Sequence, residues 1–274
     1  MKLEVAVADA PSLAAAVAGG ADRIELCSAL ELGGLTPSPG LMALAAAGSV
    51  PTYAMVRPHA GDFVFDSRDV DAMLRDIDAI RAAGLAGVVI GASRPDGMLD
   101  LALLERLIDH AQGLGTTLHR AIDLVPDFAE ATEAAVALGV ARILTSGGAR
   151  TAPEGMRNIA VAHATAKGRV AIMAGSGLNP GNVERLLARG VVDEIHSSCA
   201  GTARPCSEAA ARLGFAAGAR RTTSMETVSA MKAAMAGQPG IRTGNRAIGA
   251  SDEREFVRGN VFGSNGRIPE ADGA

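Results

Sequence analysis

The chain has 274 residues, 48% hydrophobic and only 3% aromatic, with 33 glycines and a formal net charge of −4. Such a composition supports a large apolar core and argues against base-stacking or polyanion-binding surfaces, so no nucleic-acid partner is expected. Three cysteines (Cys27, Cys199, Cys206) without a CxxC pair exclude a disulfide framework or zinc knuckle, and no apolar run reaches the roughly 18 residues of a membrane helix.

The opening MKLEVAVADAP lacks a signal-peptide pattern, so the chain reads as a reduced, cytoplasmic protein. Along the chain one phrase recurs: an Ala/Leu-rich helical run, a glycine, then a short β-branched run. It appears as AVAGGADRIELC, RAAGLAGVVIGA, VALGVARILTSGG and LARGVVDEIHSS. LEVAVA, TYAMVRP, TTLHRAID and RVAIMAGSG supply further strands. Strands are thus expected near Leu3, Arg23, Tyr53, Val88, Leu118, Arg142, Ala171 and Glu194. Helices are expected over 12–18, 39–47, 67–83, 100–112, 128–138, 154–166 and 179–188.

Eight alternating units over about 200 residues predict an α/β fold, a single (β/α)8 TIM-type barrel; an open doubly wound sheet is the alternative. No GxGxxG follows the first strand. The barrel domain is expected over 1–236, including an extra C-terminal helix with an Ncap Ser or Thr in TSMETVSAMKAAMAG. Residues 199–220, rich in small residues, read as irregular, and residues 237–274 as a poorly ordered tail.

Active sites of such barrels lie at the C-terminal ends of the strands. There the sequence gathers Glu25 and Cys27, Met55 and Arg57, His119, Arg120 and Asp123, and His196. Alternation puts Glu25 with Cys27, and Met55 with Arg57, on shared faces. The orientation of Glu4 is undecided. One such pair alone reads as a buried structural ion pair, but the whole cluster reads as a site. The catalytic candidates are Glu25, Arg57, His119, Arg120, Asp123 and His196. Gly147 and Gly148, with Gly175, Ser176 and Gly177, are candidates for binding an anion, with Asn179 capping a helix and Pro180 at its first position.

The motifs ADRIELCSALELGGLTPS, VRPHAGDF, LHRAID, ILTSGG, AGSGL and EIHSS, in this order, resemble the CutC family, the so-called copper homeostasis proteins. The resemblance implies a cytoplasmic (β/α)8 barrel that is a homo-oligomer, a dimer or tetramer, associated with copper tolerance and Cu(I) binding. Cys27 matches the family's ELCS cysteine, which is proposed to take part in binding copper. Glu25, Arg57, Asp62, His119, Arg120, Asp123 and His196 match its other polar positions. His59 and Ile122 depart from the pattern, where Arg and Phe are common, and 199–221 has no counterpart.

Two functions follow. Cu(I) would take soft ligands, the Cys27 thiolate and the Met55 thioether, although paired cysteines and clustered methionines are missing. Alternatively, carboxylate, arginines and histidines at one mouth suit a lyase or isomerase acting on a small phosphorylated or carboxylated metabolite. Arg57 or Arg120 would clamp the anion, and Glu25 or His119 would move a proton. The only lysines are Lys2, Lys167 and Lys232, which counts against a Schiff base at a strand end.

Overall fold

The computed structural model describes residues 1–215 and 219–237. Eight parallel strands close into a barrel in chain order: β1 (Lys2–Val7), β2 (Arg23–Leu26), β3 (Thr52–Met55), β4 (Gly87–Ile90), β5 (Gly115–Leu118), β6 (Arg142–Thr145), β7 (Ala171–Ala174) and β8 (Glu194–Ser197). Between them run α1 (Ala10–Ala18), α2 (Pro39–Ala46), α3 (Ser67–Ala82), α4 (Leu101–His110), α5 (Phe128–Ala137), α6 (Met156–Ala166) and α7 (Val183–Leu187). The expected barrel is therefore the observed fold. Beyond Gly237, the expectation of a poorly ordered tail lies outside the described residues. Among the described residues no helix is long and apolar enough to cross a membrane.

Local chemistry sets the element boundaries. Asp9, Ser38, Asp66, Asp100 and Asp127 each accept a backbone N–H at a helix start, and Asp66 forms a reciprocal capping box with Asp69. The glycines of the recurrent phrase end helices with left-handed φ, at +89° for Gly20, +78° for Gly84, +73° for Gly139 and +65° for Gly190. The outer strand faces carry Leu3, Val5, Val7, Ile24, Leu26, Val88, Ile90 and Ile143. These meet Met73, Ile77, Ile80, Leu104, Leu107 and Ile159 of the helices. Each fully buried aliphatic side chain contributes about 1.5–3 kcal/mol, so this annulus is the main stabilising layer.

Two expectations change. The helix expected from Asn179 begins instead at Val183. Asn179 Oδ1 accepts from the Gly181 amide and Asn182 Oδ1 from the Asn179 amide, which closes a turn where the first helical turn was expected. The segment after β8, expected to be irregular, forms an antiparallel pair, β9 (Arg204–Pro205) with β10 (Ala219–Arg220), and α8 (Glu208–Arg212). It leads into α9 (Met225–Ala236), capped by Ser224, which packs on α1 and α7 through Val228, Met231 and Met235. A Cβ on Gly19 would overlap Val228, so that glycine permits the close approach of α9.

The barrel interior is polar. Its lower half holds Arg23, Tyr53, Thr117, Arg142 and Glu194. The Arg23 guanidinium bridges Glu4 and Glu194, and its NH2 lies 3.3 Å from Met173 Sδ. Arg142 donates to Thr117 Oγ1 at 2.9 Å and stands 3.5 Å from Glu194. Tyr53 lies between both guanidiniums, which are 5.5 and 4.5 Å from its ring centroid. A Cβ on either Gly87 or Gly115 would overlap this ring. Buried charges persist only when paired, and this network pairs them below the mouth.

Candidate functional site

Above that plug, β1, β2 and β8 bring together Glu4, Glu25 and His196. Glu4, wholly buried, faces the barrel and receives Arg23 Nε and, at 2.8 Å, His196 Nδ1. Burial opposes its charge, but the His196 and Arg23 interactions outweigh it and hold its pKa down to about 2. His196 Nε2 lies 3.8 Å from Glu25 Oε2. Burial opposes a charged ring there too, yet the two carboxylates prevail and raise the His196 pKa. Burial, reinforced by Glu4, pushes Glu25 upward against the pull of His196. A histidine between two carboxylates, one fixed as an anion and one easily protonated, can relay a proton.

Cys27 follows Glu25 on the same face, as alternation predicts. Its Sγ contacts Glu25 Oε2 at 3.5 Å, and it clusters with Met55 and Val89. Burial, then the Glu25 carboxylate, raises the thiol well above its ordinary value.

Arg57, just past β3, and His119, just past β5, continue the wall of the mouth beyond β2. Arg57 NH1 donates to Leu32 O at 2.8 Å and Gly34 O at 3.1 Å, and NH2 to Gly61 O at 3.0 Å. Burial lowers its pKa. His119 Nδ1 accepts the Ala121 amide at 3.1 Å. Burial, with Arg57 nearby, lowers the His119 pKa to about 3, so the ring is neutral. Phe63 packs on both, 4.6 Å from the guanidinium and 4.8 Å from the imidazole. A Cβ on Gly91 would overlap the His119 ring.

The remaining candidates divide. Asp123 binds inward to the loop after β6: it accepts Ser146 and Gly148 amides at 3.1 Å each, both hydroxyls of Thr145 and Ser146, and Arg120 Nε at 2.7 Å. The Gly147 amide donates to Thr145 Oγ1 at 2.8 Å. The Gly147 and Gly148 amides, expected to bind an anion, are thus held by side chains of the chain itself. Their left-handed φ values, +72° and +70°, aim them at these internal acceptors. Arg120 is likewise engaged, although it lines the mouth. The Gly175 amide is taken by Thr145 O, whereas Ser176 and Gly177 reach the cavity. Asp62 and His59 are exposed, and His59 pairs with Asp69 at 3.2 Å.

These side chains surround a cavity of about 690 Å³, lined among others by Glu25, Met55, Arg57, Phe63, His119 and His196. Cys199, Arg221 and Thr227 close its far side from beyond β8. Non-glycine residues with positive φ gather here: Phe63 (+66°), Ser176 (+75°) and Cys199 (+44°) line it, and Ala29 (+47°) precedes its Leu30. Such backbone costs energy and concentrates where geometry serves a ligand. Phe63 escapes the sequence reading, which leaves the orientation of Glu4 open. The alternation of LEVAVA, large residues on one face and Glu4 with Ala6 on the other, is the signal that could have found Glu4.

The CutC family profile matches residues 1–201. The chain belongs to the CutC family. A CutC family protein of Sinorhizobium medicae (strain WSM419) is 58% identical over 234 residues, covering 85% of this chain and 95% of that protein. A solved CutC from Streptococcus agalactiae, provisionally named a copper homeostasis protein, superposes with a TM-score of 0.69 at 27% identity, covering 72% of this chain and 99% of that one. Phosphoribosyl anthranilate isomerase from Thermococcus kodakaraensis, at 15% identity and a TM-score of 0.53, covers 86% of this chain and 99% of that one; it shares the fold. The CutC match ends just past β8, so it spans every strand that carries the site.

Proposed function

We propose that the barrel mouth is the active site of an enzyme that moves a proton on a small phosphorylated or carboxylated metabolite, in a lyase- or isomerase-type reaction. The observation that carries this reading is Glu25 Oε1. It is a buried carboxylate oxygen with no hydrogen-bond partner, on the wall of a cavity of about 690 Å³. Glu25 accepts or returns the proton, His196 and Glu4 tune its charge, and Arg57 attracts the anion. Ser176 and Gly177 reach the cavity from the loop after β7, a usual phosphate-binding position in such barrels. A panel of phosphorylated and carboxylated metabolites, followed by NMR, tests the reading. Turnover should fall about a hundredfold or more in Glu25→Gln. Turnover indifferent to that change would refute it.

A second reading rests on the two sulfur side chains. Cys27 Sγ and Met55 Cε lie 3.0 and 3.4 Å from where a Gly34 Cβ would stand, so both border one small space. Cu(I) favours thiolate and thioether ligands, and the streptococcal relative's name points to copper. Copper would be cargo here. Its capture must displace the Cys27 proton, which burial and Glu25 hold in place. Anaerobic titration against a chromogenic Cu(I) chelator decides: stoichiometric binding lost in Cys27→Ser supports this reading, and binding indifferent to the substitution ends it. Membership of the family supports a dimer or tetramer in the cytoplasm; light scattering tests the oligomer and cell fractionation the location.

A further inference from the structure

Three buried side-chain atoms without a hydrogen-bond partner belong to residues that line the cavity at the barrel mouth: Glu25 Oε1, Arg57 Nε and His119 Nε2. Their residues are only 3%, 4% and 3% exposed. Buried polar groups are nearly always paired, so three orphans around one space call for a ligand that pairs them all.

Their chemistry restricts that ligand. Arg57 spends both terminal nitrogens on the carbonyls of Leu32, Gly34 and Gly61, which leaves Nε–H without a partner. His119 Nδ1 accepts the Ala121 amide and so carries no proton; the neutral ring therefore holds its proton on Nε2. Phe63, held at a φ of +66°, packs on both groups and fixes them side by side. Two unpartnered N–H donors and one unpartnered carboxylate acceptor thus belong to residues that line the same cavity.

We infer that Arg57 Nε–H and His119 Nε2–H form a cradle for a carbonyl oxygen that gains negative charge during the reaction, so that the substrate is a 2-hydroxy carbonyl compound and the reaction an enolisation. The inference rests on the acid–base reading above and names its substrate class. Glu25 Oε1 takes the proton from the carbon next to the carbonyl. That C–H bond breaks and an O–H bond forms on Glu25. The released pair becomes a C=C bond, and the carbonyl π pair moves onto oxygen, where the two donors meet it. The proton returns to the former carbonyl carbon after the hydroxyl hydrogen of the deprotonated carbon has passed to the first oxygen, so that the deprotonated carbon becomes the new carbonyl. The product is an isomer, and no oxidant or co-reactant is required. A neutral imidazole suits this work, since it stabilises the oxyanion without surrendering its proton outright.

Oxalate, a planar dianion whose vicinal oxygens resemble an enediolate, is the probe, with inorganic phosphate as the comparison. Wild type, His119→Phe and His119→Gln are titrated with each by calorimetry, and the histidine ¹⁵N spectrum is recorded. Oxalate should bind, and the His119 ring should stay in its Nε2–H form with that resonance moved by the ligand. Oxalate affinity should fall about tenfold or more in His119→Phe, recover in part in His119→Gln, and phosphate affinity should change by about twofold or less. Equal oxalate affinity in all three proteins, or an Nδ1–H or charged His119, overturns the inference. Phosphate binding without oxalate binding removes this inference and leaves the anion-site reading standing. Binding of neither removes both. The wild-type spectrum decides even if His119→Phe fails to fold.

Discussion

Replacing Arg23 with methionine tests whether the polar plug holds the site in place. Arg23 is 3% exposed and ties Glu4 to Glu194 through the centre of the barrel. Methionine keeps most of the volume and removes the charge. Glu194 would be left with Arg142 at 3.5 Å, and Glu4 with His196 alone. Breaking a buried pair by deleting one partner costs about 3–5 kcal/mol, because the other charge stays behind. Domains are stable by only about 5–15 kcal/mol, so this is a large share. With a urea slope of about 2–3 kcal/mol per molar, the unfolding midpoint at pH 7 should drop by about 1–2.5 M. Adding Glu194→Gln removes the stranded charge and should recover about half of the loss. Urea unfolding by circular dichroism measures both. A loss below about 1 kcal/mol in Arg23→Met, or no recovery in the double variant, would show that the plug is not a mutually dependent charge network.

Acid stability should reveal His119. Its folded pKa is about 3, below the ordinary 6.5, so between these values the unfolded chain binds a proton that the folded chain refuses. Stability therefore falls as pH drops through that window, by up to about 1.4 kcal/mol per pH unit from this group, and His119→Gln should flatten the slope in urea titrations from pH 7 to 4. In Asp123→Ala, the Ser146 and Gly148 amides and Arg120 lose their acceptor; a cost of about 2–4 kcal/mol is expected, with faster hydrogen exchange at those amides. Unchanged protection would deny Asp123 its role in ordering that loop. Gly91→Ala should cost about 1–3 kcal/mol by overpacking and displace the His119 ring, seen as a shift of its ¹⁵N signals; Gly84→Ala, in open space, should leave those signals unmoved.

The barrel was legible because local signals agreed. All eight strand positions read from the sequence fall inside observed strands, and the pairing of Glu25 with Cys27 needed only the two-residue period. What escaped was long-range. Arg23 and Glu194 meet across 171 positions, and nothing in ADRIEL tells a solvent-facing arginine from one buried against two glutamates. The glycines after β6 carry a pattern that serves equally to bind an outside anion or to wrap a carboxylate of the chain; Asp123, 25 positions before Gly148, settles which. At Asn179 two side-chain bonds to nearby amides outcompeted helix initiation, a contest that composition does not decide.

The wall closed by Arg221 and Thr227 bears on where this domain ends. The family profile stops at residue 201, and a chain cut there would keep every barrel strand, the charged plug and both sides of the proton relay. It would also uncover the apolar sides of α1 and α7 that Val228 and Met231 now shield, and leave the mouth open on one flank. The profile match and α9 end some 35 residues apart, and a chain cut at 201 should therefore unfold at a lower urea concentration than one that runs through α9.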